Sequence, residues 1–126
     1  MRIRAQLSLL IIAGLAASLL PACHHDAGPP PPLPAEQIAS EFEKGFKDAK
    51  QEVKDLAKKV LDALAAKDYP AAYQATQELS ASPAATKDQQ TLASRAFLTI
   101  TGLLQTAQDQ GDEKATTALK TYRSTK

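Results

Sequence analysis

Apolar residues are distributed along this chain in two regimes. Residues 7–20 are almost continuously apolar, interrupted only by Ser8, Gly14 and Ser18. From Ala35 onward apolar residues return at helical spacing. Phe42, Phe46, Ala49, Val53, Leu56, Val60 and Ala63 succeed one another in alternating steps of four and three, a heptad stripe that predicts an amphipathic helix. Ile38, Leu61 and Leu64 widen the stripe to the breadth that a core-facing helix needs. The opposite face is charged, and Glu43 with Lys47 and Asp55 with Lys59 are i,i+4 pairs in the favourable order. A first helix of about 30 residues, near 45 Å long, is the expectation. Gly45 weakens it by about 1 kcal/mol relative to alanine and marks a bend, a close contact or fraying.

Three punctuation points divide the rest of the chain. At Lys67-Asp68-Tyr69-Pro70, Asp68 is a good N-cap and Pro70 suits the first turn of a second helix, which carries Ala72, Tyr73, Ala75, Thr76 and Leu79. Ser80-Ala81-Ser82-Pro83 ends it. Thr86-Lys87-Asp88-Gln89 has the form of a capping box and opens a third helix through Leu92, Ala96, Phe97, Ile100, Leu103, Leu104 and Ala107. Gly111 stops that helix and Asp112 caps a last one with Ala115, Ala118, Leu119 and Tyr122. No stretch alternates with period two, so the fold class is all-α. Asp68 and Asp112 each close a long helix and open a short one, 44 residues apart. The expected architecture is two stacked long-short hairpins after a disordered Pro-rich linker. Ala65 to Tyr73 resembles the hairpin junction of tetratricopeptide-like repeats, with Tyr69 and Ala72 as the aromatic and small residues that seat the second helix. The Trp, Leu-Gly and Tyr of that family's first helix are absent, and the spacing exceeds its usual repeat of about 34 residues.

The first apolar regime is a different object. Arg2 and Arg4 precede it and Pro21 ends it, giving the charged and apolar regions of a secretory signal. As a helix it would be about 21 Å long, short of a bilayer core of about 30 Å. Leu20-Pro21-Ala22-Cys23 comes next and resembles the lipobox of bacterial lipoproteins, although Pro21 stands where that pattern has Ala, Ser or Thr. The resemblance implies a diacylglyceryl group on the Cys23 sulfur, cleavage of residues 1–22 and acylation of the new amino terminus. His24, rather than Asp, after the Cys implies outer-membrane sorting, facing the periplasm. Cys23 is the sole cysteine, so no internal disulfide competes for it. Anchoring is additive, about 0.8 kcal/mol per buried CH₂, and needs more than one chain to hold stably. The expected partners are therefore the bilayer, through acylated Cys23, and an envelope protein.

Residues 24–34 read as a tether. Five prolines favour an extended polyproline II spacer reaching about 30 Å. His24, His25 and Asp26 offer metal-ligand types, but on a segment without supporting residues, so no metal site is expected. The domain boundaries are then 1–22 for the signal, 23–34 for lipidated Cys and tether, and 35–126 for the helical domain.

Composition narrows the function further. Cleavage removes two arginines and no acid, so 15 Lys+Arg against 14 Asp+Glu becomes 13 against 14. There is no basic balance to argue for nucleic acid. Both histidines lie in the tether, so the helical domain has neither His nor Cys to activate a nucleophile. It has no Gly-rich phosphate loop. A non-catalytic interaction module without cofactor is the expectation. With no Trp, three Tyr and three Phe, aromatics are scarce. Tyr69, Tyr73, Phe97 and Tyr122 are the candidate interaction anchors, with core packing as their ordinary role. Small outer-membrane lipoproteins of this build resemble pilotins and assembly-complex accessory subunits. A structural alternative is a homo-oligomer zipped through the Phe42–Ala63 stripe. The ending Tyr122-Arg123-Ser124-Thr125-Lys126 loosely resembles the terminal Lys of Braun-type lipoproteins, which are joined to peptidoglycan.

Overall fold

The computed structural model describes residues 28–125. The signal segment, the lipobox with Cys23, both histidines and Lys126 lie outside the described residues. The described residues form a 3₁₀ turn at Ala35–Gln37 and five α-helices: α1 (Ile38–Gly45), α2 (Gln51–Ala65), α3 (Tyr69–Ala81), α4 (Lys87–Asp109) and α5 (Glu113–Ser124). No strand occurs among them. The fold is all-α, as the periodicity predicts.

Both hairpins form. Helix α3 lies between α2 and α4 and packs on each, while α5 folds back on α4 and also meets α3. That central position explains why α3 buries residues on more than one side: Ala72, Tyr73, Ala75, Thr76 and Leu79 are all inside. The hydroxyl of Thr76, fully buried, donates to the Ala72 carbonyl and so is not left unpaired.

The two hairpin junctions are built alike. At the end of α2, the Lys67 amide donates to the Leu64 carbonyl and the Asp68 amide to the Ala63 carbonyl. At the end of α4, the Gly111 amide donates to Gln108 and the Asp112 amide to Ala107. Both are Schellman closures, with Lys67 (φ 54°) and Gly111 (φ 89°) in the left-handed position. Each aspartate then caps the next helix, Asp68 accepting from the Ala71 amide at 3.2 Å and Asp112 from the Ala115 amide at 3.0 Å. The capping box at Thr86 is complete: the Gln89 amide donates to Thr86 Oγ1, and the Thr86 amide to Gln89 Oε1.

Two expectations change. The long first helix is in fact α1 and α2, separated by residues 46–50. Phe42 and Phe46 both enter the core, edge to face with ring centroids 4.9 Å apart. To bring them there α1 leaves the line of α2 and lies against α4. Gly45 permits that approach, since a Cβ there would stand 2.4 Å from Leu92 Cδ2. The Gln89 side-chain amide donates to the Gly45 carbonyl at 3.3 Å, tying the break to α4. The Phe42–Ala63 stripe thus survives as a burial pattern but not as one rod, and its members face the core of a single chain.

The tether is also shorter than expected. Leu33 is 1% exposed. Its amide donates to the Arg95 carbonyl at 3.2 Å, and its carbonyl accepts from Thr99 Oγ1. Arg95 Nε donates to the Pro31 carbonyl at 2.9 Å. Residues 31–34 therefore belong to the folded unit, and the boundary placed at residue 35 moves toward the amino terminus.

Candidate interaction surfaces

Three of the four candidate aromatics come together. Tyr73 of α3 lies 4.8 Å from Phe97 of α4 and 5.6 Å from Tyr122 of α5, centroid to centroid. One residue from each of three consecutive helices thus meets in one cluster, the kind of tilted and edge-on contact that aromatic rings prefer. Tyr73 is buried, in the core-packing role that is ordinary for such a residue; Phe97 and Tyr122 are half-buried against it. Tyr69 stands apart, half-buried at the start of α3.

The Tyr73 hydroxyl is buried without a hydrogen bond of ordinary geometry, and Tyr122 is the phenol that faces it. Burial pushes the Tyr73 pKa up to about 12, and the neighbouring Tyr122 adds to the shift. Neither effect prepares the phenol as a base near neutral pH, where a useful pKa would have to lie. The cluster's chemistry is packing.

Beside it, between α3 and α5, runs an open groove of about 530 Å³ lined by Pro70, Tyr73, Gln74, Gln77, Thr121 and Tyr122, with small side chains between them. No lining side chain is charged. Aromatic edges with carboxamide and hydroxyl groups offer contact area and adaptable hydrogen bonds, the combination found in binding surfaces.

The outer side of α4 is a second uncharged surface. Between Asp88 and Asp109 its only charged residue is Arg95, which is engaged with Pro31. Leu98, 43% exposed, is the large apolar side chain most open to solvent there. Leu98 was missed from the sequence, yet its place among Ser94, Thr101 and Gly102 was readable on a helical wheel. Leu33 had no such signal, being a lone leucine in a proline run.

Among the described residues no group of three or more His, Cys, Asp or Glu could hold a metal ion. No helix of the described residues is long and apolar enough to cross a membrane. Set against protein-family models, curated proteins and solved structures, the chain matches none of them.

Proposed function

We propose that this chain is a membrane-anchored lipoprotein whose helical domain is a non-catalytic interaction or accessory module of the cell envelope. The observation that carries the reading is the order of parts: an apolar segment ending in Leu20-Pro21-Ala22-Cys23, a proline run, and a helical domain joined to that run at Leu33. An acylated Cys23 facing the periplasm would hold the domain at the outer membrane. The uncharged groove between α3 and α5, edged by Tyr122, supplies contact area for a protein partner. Self-assembly through the Phe42–Ala63 stripe has less support, because the stripe is broken at residues 46–50 and spent inside the fold.

The test has two arms. A Cys23→Ser variant is expected to lose metabolic palmitate labelling and to leave the membrane fraction; retention of both would refute the anchor. A photo-crosslinker placed at Gln77 in the groove is expected to give one discrete adduct in native membranes, whereas the same group at Asp55 on the exposed side of α2 gives none. Silence from Gln77 would refute the interaction module.

A further inference from the structure

Helices α2 and α4 are the long members of the two hairpins, yet their backbones do not come close to one another. Each packs on α3, and α1 bridges the cleft between them by packing on both. It fills the cleft with Ile38 and Phe42, each 1% exposed, and Phe46, the residue that follows it and is 4% exposed, adds a third large side chain. The cleft is therefore shaped for an amphipathic helix and already holds one.

That helix is continuous with no other α-helix of the fold. It has eight residues, too few to stand as a helix alone. On its carboxyl side it is held by the Gln89 side chain on the Gly45 carbonyl; beyond that, residues 46–50 are non-helical, and Lys50, the N-cap of α2, makes no side-chain cap. On its amino side it is held by Leu33 and by the hydrogen bonds of Pro31 and Leu33 to Arg95 and Thr99. The chain ahead of that latch is the proline run.

The open side of the seat carries charge. Along the boundary of α1 and α2, a groove floored by Phe42, Phe46, Ala57 and Leu61 is rimmed by Glu43, Lys47, Lys54 and Lys58. Lys58 pairs with Asp62 at 2.6 Å. Lys54 makes no ion pair among the described residues, and Glu43 does not reach it.

We propose that residues 31–46 are a detachable plug, and that the α2–α4 cleft beneath it is the docking surface for an amphipathic helix of a partner protein. That helix presents large apolar side chains at i, i+4 and i+8 and an acidic residue on the flank facing Lys54. The proposal rests on the interaction-module reading and gives it a second surface, distinct from the α3–α5 groove. An incoming helix would replace the contacts of Ile38, Phe42 and Phe46 in kind and add the ion pair that α1 lacks. Sub-global opening of this amino-terminal segment while the rest stays folded is the motion required.

The experiment compares full-length protein with its Leu33→Ala variant in detergent, by hydrogen exchange and by binding of a labelled synthetic peptide of residues 35–47. Truncating a buried leucine favours the open form by about 30-fold at the low end of such costs. Amides of residues 38–46 are expected to exchange faster by that factor while those of α3 and α4 do not change. The peptide is expected to bind the variant more tightly by a similar factor, because affinity scales with the open fraction. A peptide carrying Phe42→Asp should not bind. If Leu33→Ala fails to fold, Thr99→Val keeps the leucine, removes one hydrogen bond to the segment and should show the same pattern at about fivefold. Equal acceleration in α1, α3 and α4 would overturn the plug. Opening without peptide binding would overturn the docking surface. A dimer with exchanged plugs would overturn the assignment to a partner protein and give the cleft to a second copy. The Gln77 crosslink reports on the interaction module independently of all three.

Discussion

Lys67 and Gly111 occupy equivalent positions 44 residues apart, one with a Cβ in a left-handed conformation and one without. Exchanging the residue types should move stability in opposite directions. A left-handed backbone costs a non-glycine residue about 1–2 kcal/mol. Glycine avoids that cost but makes the unfolded chain freer by about 0.4–1 kcal/mol. The difference predicts that Lys67→Gly stabilises the domain by about 0.5–1 kcal/mol. Gly111→Ala should destabilise by about the same amount, since no atom lies within 4 Å of the added Cβ and only the backbone contributes. For a domain of this size, 1 kcal/mol moves the thermal midpoint by about 4–8 °C. Thermal unfolding monitored by far-UV circular dichroism should place Lys67→Gly above the parent and Gly111→Ala below it. Urea titrations should show changed midpoints with unchanged slopes. If Lys67→Gly lowered the midpoint, the two junctions would not be energetic equivalents and the reasoning would fail.

The core and the caps give further expected outcomes. Burial, with Tyr122 beside it, raises the Tyr73 pKa to about 12 against 10.0, so the folded state holds the proton longer and stability falls as pH rises from 10 toward 12; pH titration of stability should show that part of the alkaline loss missing in Tyr73→Phe. The same variant removes only the hydroxyl that faces the Tyr122 phenol, so its stability at neutral pH should stay within about 1 kcal/mol of the parent's, and a larger loss would contradict the packing role. Thr86→Ala breaks the capping box and should cost about 1 kcal/mol in denaturant titration.

The parts of the fold legible in the sequence are those decided within one turn of chain. Asp68 and Pro70, the Thr86–Gln89 box, and Gly111 with Asp112 each act on groups three to five residues away, and all three boundaries formed where those residues stand. The division of the first helix was not legible, because Phe46, Ala49 and Val53 carry the heptad straight across it. It depends on Leu92 and Gln89, more than 40 residues away, meeting Gly45. Burial of Leu33 likewise depends on Arg95 and Thr99, and a single apolar residue has no period to reveal it. The aromatic cluster was half legible: helical spacing marks Tyr73, Phe97 and Tyr122 as inward on their own helices, but their meeting is a property of the stacked hairpins.

Docking of Leu33 has a consequence for reach. With residues 31–33 fixed on α4, seven residues, 24–30, separate Cys23 from the folded unit. At about 3.1 Å each, seven residues in a polyproline conformation would span about 22 Å. An acylated Cys23 would keep the domain on a short leash, sweeping only the layer next to the lipid. Release of residues 31–46 would free the chain as far as Lys50 and raise the limit to about 90 Å for a fully extended chain. Emptying the cleft and paying out the leash would then be one event, so a partner far from the bilayer could be met only by a domain whose seat is already vacant.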